Sequence, residues 1–152
     1  MKNNIKLLLT FLLFSSNAIA NSIDNVKALE MALDDEQKAK ATYLQVINDF
    51  GEVRPFSNIL QSEQRHINAL MPFFAKYGVA PKQNPYLGNT PSFGSIKEAC
   101  EAGVDAEVEN VNLYHKIFAL TDDKDLIRVF ENLQWASEQR HLRAFQRCAA
   151  RN

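Results

Sequence analysis

The pentapeptide Ser-Glu-Gln-Arg-His occurs twice in this chain, at residues 62–66 and again at residues 137–141. Each copy places a glutamate three residues before a histidine, and side chains three positions apart lie next to each other on one face of a helix. A single pair of this kind is common on helix surfaces. Two identical copies, one in each half of the chain, predict that the second half repeats the first.

A second pair of segments supports the repeat, because residues 28–43 align with residues 99–114. The identical positions are Ala28/Ala99, Glu30/Glu101, Asp34/Asp105, Glu36/Glu107 and Tyr43/Tyr114. The offset between these aligned positions is four residues smaller than the offset between the two pentapeptides. We expect this difference to lie in the connecting loop. The repeat therefore predicts a duplicated helical hairpin.

Apolar residues recur at helical spacing in four segments, and no segment shows the period-two alternation of a strand. The predicted helices cover residues 23–50, 55–77, 96–120 and 123–150. Gly51 and Gly78 are expected to end the first two helices, residues 95–98 form a capping box for the third, and Asp122 is expected to cap the fourth. Residues 78–94 contain three of the five prolines and three of the five glycines, so they are predicted to form a loop.

Two helical hairpins make a four-helix bundle. The predicted loop between the second and third helices has 17 residues. Extended, a loop of this length could span roughly 55 Å, whereas a helix of about 23 residues is roughly 35 Å long. The fold class is therefore predicted to be an all-α four-helix bundle, with a long crossover between helices 2 and 3.

The N-terminal segment has the layout of a secretory signal peptide, predicted at residues 1–20. Lys2 and Lys6 form a positive region, residues 7–14 are apolar, and the sequence Ala-Ile-Ala at 18–20 is a typical cleavage site. The apolar region is too short to span a bilayer. We expect one mature domain at residues 21–152, exported to a periplasm or secreted, with no membrane association after cleavage.

The composition excludes several classes of protein. Hydrophobic residues make up 46% of the chain, which is enough to form a core. The net charge is −1, from Lys+Arg 17 and Asp+Glu 18. A protein that binds nucleic acid through many phosphate contacts is usually more basic, so nucleic acid is not an expected partner. Two cysteines are too few for a disulfide scaffold or a four-cysteine metal site.

Acidic and histidine side chains interrupt the apolar stripe of every predicted helix near its midpoint. These residues are Glu36, Glu63, His66, Glu107, Glu138 and His141. Four ionised carboxylates in an apolar bundle are costly, because buried charges are unfavourable and like charges repel. Two divalent cations would cancel the four charges. One Glu from each of two helices with Glu-x-x-His from each of the other two is a known di-metal arrangement in bundles, and its oxygen and nitrogen donors suit Fe, Mn or Zn.

These motifs resemble the ferritin-like superfamily, in particular the di-metal four-helix bundle of rubrerythrins. More closely, residues 34–43, 50–59 and 62–66 resemble an uncharacterised ferritin-like family of unknown function. The resemblance implies a di-iron or di-manganese site with the six residues above as ligands. It further implies that Glu63 and Glu138 bridge the metals, and that Tyr43 and Tyr114 hydrogen-bond to ligand carboxylates.

The chain also departs from rubrerythrins. Asn110 stands where rubrerythrins have an additional metal-binding glutamate, and the chain has no rubredoxin domain with paired Cys-x-x-Cys motifs. Peroxidase activity of the rubrerythrin type would therefore need an outside electron donor, which the sequence does not identify.

Cys100 and Cys148 lie near adjacent ends of the third and fourth predicted helices. In an oxidising compartment this position predicts a structural disulfide. The alternative is two buried free thiols. Trp135, one turn before Glu138, is predicted to fill the core.

Three functions remain open at this stage. The first is an oxidoreductase that uses O₂ or H₂O₂ to oxidise Fe(II), or that removes peroxide. The second is a metal-binding or metal-buffering protein without turnover, and the third is a metal-free structural bundle. Because the same ligands serve the first two functions, the sequence does not separate them. A monomer or a homodimer is expected.

Overall fold

The computed structural model describes the backbone of residues 4–152 and the side chains of residues 23–152. The predicted signal peptide at residues 1–20 lies outside the described side chains. The helical elements are α1 (Asn4–Phe50), α2 (Phe56–Tyr77), α3 (Ile96–Phe118), α4 (Lys124–Ala136), a π-helical turn (Ser137–His141) and α5 (Leu142–Ala149). The last three elements follow without a gap and form one fourth helix. Residues 4–152 contain no strand, so the all-helical prediction is confirmed.

Glycines end the first two helices, as the sequence predicts. Gly51 follows α1 with a φ of 81°, and Gly78 follows α2 with a φ of 68°. Both angles lie in the left-handed region, which glycine adopts without steric cost and which is common just after a helix. The N–H groups of Gly78 and Val79 donate to the carbonyls of Ala75 and Phe74 and satisfy the last turn of α2.

The starts of α3 and of the fourth helix are capped by side chains. Ser95 Oγ accepts a hydrogen bond from the backbone N–H of Glu98 at 3.1 Å, as the capping box predicts. The predicted cap at Asp122 is wrong by one residue, because Asp123 Oδ1 accepts from the N–H of Asp125. Asp123 also accepts hydrogen bonds from Lys76 and Tyr77 at the end of α2, which fixes it as the capping residue.

Side-chain contacts give the directions of the helices. Tyr43 contacts Glu107 and Tyr114 contacts Glu36, so α1 and α3 run antiparallel. Lys40 contacts Gln64 and Glu36 contacts His66, so α1 and α2 are also antiparallel. Consequently α2 and α3 point the same way, and the chain between them must return along the bundle. It does so beside α1, where Asn84 donates to the carbonyl of Gln37 and Ser92 contacts Gln45.

The core consists of two apolar clusters separated by a polar layer. One cluster contains Ala28, Leu29, Ala32, Leu33, Leu70, Phe74, Tyr114, Ile117, Leu126, Phe130 and Leu133. The other contains Tyr43, Val46, Phe56, Ile59, Ala99, Cys100, Phe145 and Cys148. Along every helix the residues of the polar layer fall between the two clusters. Among the residues whose side chains are described, no helix is both long and apolar enough to cross a membrane.

The structure contains the predicted disulfide between Cys100 and Cys148, which joins α3 to α5 across a sequence separation of 48 residues. The position predicted for Trp135 is wrong, because its side chain is 51% exposed. The guanidinium of Arg140 lies 4.7 Å from the centre of the indole ring and covers one face of it. Trp135 therefore makes a cation–π contact at the surface instead of filling the core.

Removal of the disulfide is expected to lower stability substantially. A closed loop of 48 residues corresponds to about 4 kcal/mol in the loop-entropy estimate, or about 15 °C in Tm for a domain of this size. The measurement is thermal unfolding of the oxidised protein and of the double variant Cys100→Ser, Cys148→Ser. The prediction is contradicted if the two proteins unfold at the same temperature.

Candidate metal centre

Three carboxylates from three helices meet in the polar layer. Glu36 on α1, Glu63 on α2 and Glu107 on α3 are 2%, 3% and 4% exposed. Each stands at a position where the apolar stripe of its helix faces the bundle axis. Because the helices carry these residues at the same height, their side chains converge although they are far apart in sequence.

Two histidines complete the cluster. The Nδ1 atom of His66 lies 2.8 Å from Glu63 Oε2 and 3.1 Å from Glu36 Oε2. The Nδ1 atom of His141 lies 3.2 Å from Glu63 Oε1 and 3.6 Å from Glu107 Oε1. The two imidazole rings stack with their centres 5.6 Å apart. Glu63 thus contacts one histidine with each of its carboxylate oxygens.

This geometry forms two adjacent groups that could each hold a metal ion. One group is Glu36, Glu63 and His66, and the other is Glu63, Glu107 and His141. Within each group the ligand atoms lie within 4.8 Å of one another. Glu63 belongs to both groups.

Tyrosines bind two of the carboxylates from the opposite helices. Tyr43 Oη on α1 donates to Glu107 Oε1 on α3 at 2.9 Å. Tyr114 Oη on α3 donates to Glu36 Oε1 on α1 at 3.3 Å. These reciprocal bonds relate equivalent residues of the two repeats. In Glu36 the tyrosine binds Oε1 and His66 contacts Oε2, whereas in Glu107 the tyrosine binds Oε1, the same oxygen that faces His141.

Burial and neighbouring charges shift the pKa values of the cluster. Burial raises the pKa of Glu36 well above 4.5, and the Glu63 carboxylate raises it further. Burial alone would raise the pKa of Glu63, but contacts with His141 and His66 outweigh it and lower the pKa. Burial alone would lower the histidine pKa values, whereas the adjacent carboxylates raise them to about 10 for His66 and about 9 for His141. The metal-free cluster is therefore held together by protonated histidines.

The structure does not bring the sixth predicted ligand into the cluster. Glu138 is exposed, and the preceding Ser137 is buried instead. Both residues lie in the π-helical turn. Because i→i+5 hydrogen bonding puts more residues into a turn than an α-helix does, residues three apart no longer share a face. Ser137, four residues before His141, takes the inward position, so the expected bridging pair of Glu63 and Glu138 is not formed.

The offset between matching residues of the two halves changes by one residue within the fourth helix, which contains the π-helical turn. Phe56 and Asn58 have the same identities and spacing as Phe130 and Asn132. The offset between these two pairs is one residue smaller than the offset between the two pentapeptides. The fourth helix therefore contains one more residue than α2 between these points, and a π turn accommodates it. Of the four-residue difference between the two halves, three residues lie between Tyr114 and Phe130 and one lies within the fourth helix.

Asp35 is a residue near the cluster that the sequence analysis missed. Its Oδ2 atom accepts a hydrogen bond from Asn110 Nδ2 at 2.5 Å. Burial raises its pKa to about 6, against the lowering effect of Asn110. The repeat counterpart of Asp35 is Ala106, so a comparison of the two halves does not detect it. The only sequence feature that pointed to Asp35 was its position next to Glu36 in the chain.

Comparisons with known proteins identify relatives of the whole domain. Residues 25–152 match the uncharacterized protein domain DUF2202. The uncharacterized protein MJ0754 of Methanocaldococcus jannaschii is 31% identical over 129 residues, which cover 75% of this chain and 69% of that protein. The crystal structure of hypothetical protein MJ0754 from Methanococcus jannaschii superposes with a TM-score of 0.73 at 25% identity and covers 82% of this chain and 79% of that one.

Proposed function

The chain belongs to the DUF2202 family, and we propose that it binds two divalent metal ions in the polar layer of its bundle. The observation that carries the proposal is the position of Glu63, which presents one carboxylate oxygen to each of two histidine-containing groups. Glu36 and His66 would hold one ion, Glu107 and His141 the other. Iron is the first candidate, with manganese or zinc as alternatives.

The residues fit such a centre chemically. Three carboxylates and two imidazoles provide the hard oxygen and intermediate nitrogen donors that these metals prefer. His141 Nδ1 lies 3.2 Å from Glu63 Oε1 and 3.6 Å from Glu107 Oε1, but neither contact has the geometry of a hydrogen bond. Among the described residues it is one of two buried side-chain polar atoms without a hydrogen-bond partner. A buried nitrogen of this kind is costly unless something binds it. A metal ion would provide that partner and would displace the proton that the carboxylates hold there.

The arrangement of the helices supports a ferritin-like bundle built from a duplicated hairpin. The sequence repeat, the reciprocal Tyr43–Glu107 and Tyr114–Glu36 bonds, and the parallel course of α2 and α3 all agree with it. In this architecture the segment beside α1 is the long crossover between the second and third helices. We propose this topology as the framework of the metal centre.

The bound metals would supply one-electron redox chemistry toward O₂ or H₂O₂, with Fe(II) oxidation or peroxide removal as the reaction. The residues of the chain have separate roles in this chemistry. Glu63 would be a ligand of both ions, and His66 and His141 would each hold one of them. Tyr43 and Tyr114 orient the carboxylates of Glu107 and Glu36, because burial raises their pKa values and keeps them as O–H donors. The two apolar clusters exclude water from both sides of the layer.

Export is part of the proposal, because the predicted signal peptide and the disulfide both fit an oxidising compartment. An exported oxidoreductase would obtain electrons from an external donor. If the centre binds metal without turnover, metal buffering becomes the function.

The test is metal content followed by turnover. Protein exported natively and purified without chelator is expected to contain about two iron or manganese ions per chain by elemental analysis, the number set by the two ligand groups. Anaerobic Fe(II) is then added, followed by O₂ or H₂O₂, and oxidation is followed optically. Stable metal without oxidation would favour buffering. Protein that holds no metal and takes up none would contradict the centre and favour a structural bundle.

The tyrosines are expected to tune metal affinity. Replacing Tyr114 by Phe removes the hydrogen bond to Glu36, and Tyr43→Phe removes the one to Glu107. Loss of a residue that orients a ligand typically weakens metal binding by about 10–100-fold. Titration of each variant with Fe(II) under anaerobic conditions measures the change. Tyr86→Phe is the matched control, since Tyr86 donates to the exposed Asp34; equal affinities for all three variants would contradict the role.

A further inference from the structure

A narrow cavity between α1 and α3 connects the acidic cluster with the protein surface. Glu36, Glu63 and Glu107 line its inner part, and the exposed residues Lys38 and Glu109 stand at its outer rim. The cavity has a volume of about 50 Å³. That is several times the space that one water molecule needs, so the cavity holds a few water molecules, and an ion in it must exchange part of its hydration shell for protein donors.

Asp35 stands at the neck of this cavity. Asp35 lines both the cavity and a surface hollow outside it. Glu109 also lines both. The Asp35 side chain lines the same cavity as Glu63 and Glu107. A cation that enters from the hollow therefore meets Asp35 before it meets the cluster. Lys38 and Lys116 are exposed to water, which screens their opposing charges.

Asn110 provides the second observation at the neck. Its side chain lines the cavity and is 5% exposed. Because a carboxylate only accepts hydrogen bonds, the amide must turn its Nδ2 toward Asp35. The Oδ1 atom is then buried without a hydrogen-bond partner among the described residues. The unpartnered amide oxygen and the Asp35 carboxylate are both hard donors, and both residues line the same cavity.

We propose that Asp35 and Asn110 form an outer binding position for a divalent cation, through which ions are loaded into the metal centre. The proposal rests on the proposed function. Two protein donors leave an ion most of its water ligands, so it binds weakly and moves inward. Asp35 belongs to neither of the two ligand groups, so it adds negative charge at the entrance without being a ligand of the centre.

Loading kinetics test the proposal, with cobalt(II) as the probe because its visible absorption bands appear on binding to protein ligands. Stopped-flow mixing with Asp35→Asn is expected to show loading slowed by about tenfold or more, since a negative channel raises cation association rates by about 10–1,000-fold. The final uptake should stay at the two ions per chain of the wild type. Loading of the wild type should also slow with ionic strength more steeply than loading of the variant.

Two further variants control the experiment. Asp34→Asn makes the same change one residue away, on an exposed side chain outside the cavity, and should load as the wild type does. Asn110→Ala removes the unpartnered oxygen and should slow loading without changing final uptake.

Equal loading rates for Asp35→Asn and Asp34→Asn would overturn the outer position. Reduced final uptake by Asp35→Asn would also overturn it, because Asp35 would then be a permanent ligand. If the wild type takes up no cobalt, all variants will take up none, and the metal centre itself is refuted together with its entrance.

Discussion

Replacing Glu63 by Gln is expected to abolish the binding of both metal ions. Glu63 is the one residue that belongs to both ligand groups, with Oε2 toward His66 and Oε1 toward His141. Glutamine keeps the size of the side chain but removes its charge and the second oxygen donor. The affinity should fall by more than the roughly 100-fold that loss of a ligand-orienting residue causes. Elemental analysis and anaerobic Fe(II) titration measure the loss.

The second copy of the pentapeptide supplies a matched control. Glu138→Gln makes the same substitution in the same five-residue motif, but on a side chain that the π-helical turn leaves exposed. This variant is expected to bind two ions with the affinity of the wild type. If Glu138→Gln loses an ion, the fourth helix changes register when metal binds and Glu138 enters the centre. If Glu63→Gln keeps both ions, the proposed centre is wrong.

The helices and most of their ends could be predicted from the sequence, because they are determined by residues that are close together in the chain. Gly51 and Gly78 end helices by a backbone conformation that glycine favours, and Ser95 caps α3 through a hydroxyl that only neighbouring residues affect. The error at the fourth helix has a non-local cause. Asp122 and Asp123 are equally good caps by residue type, and contacts from Lys76 and Tyr77 on another helix select Asp123.

Part of the candidate centre could also be predicted, because it depends on the pattern of residues along single helices. An acid or histidine in an apolar stripe marks a buried polar position, and the structure brings Glu36, Glu63, His66, Glu107 and His141 together. Whether Glu138 faces the bundle axis depends on the register of the fourth helix, which the pentapeptide alone does not determine. The sequence feature that indicates the change of register is the one-residue change in offset between the two halves within the fourth helix. Detecting it requires aligning Phe56 with Phe130 as well as the two motifs.

Asp35 and Asn110 could not be found from repeat symmetry, because each occurs in one half only. Asp35 is followed by Glu36 on the same helix, so its side chain points along a different direction from the one that faces the bundle axis. Its proximity to the cluster depends on the gap between α1 and α3, which is a property of packing. Sequence periodicity identifies which face of a helix is buried but does not show where two buried faces leave a cavity.

The stability of the metal-free protein is expected to fall as pH rises above 6.5. In the folded state the pKa values of His66 and His141 are raised to about 10 and about 9, whereas unfolded histidine titrates near 6.5. Between these values the folded protein binds more protons than the unfolded chain, so the free energy of unfolding decreases with pH. Glu36, whose pKa is also raised, acts in the same direction above pH 4.5. Each of the two histidines alone would account for a loss of roughly 3 kcal/mol by pH 9, because the pH is then about 2.5 units above the pKa of unfolded histidine.

Bound metal should reverse this dependence, because ions bind neutral histidine and ionised glutamate and displace the protons. Urea unfolding of chelator-treated and metal-loaded protein at pH 6.5, 7.5 and 9 measures both slopes. His66→Gln should flatten the slope of the metal-free protein, whereas His115→Gln, on an exposed side chain of α3, should not. Rising stability of the metal-free wild type over this range would mean that its histidines are neutral when folded. The opposite slopes together would show that the carboxylates hold protons on the histidines only until a metal ion replaces them.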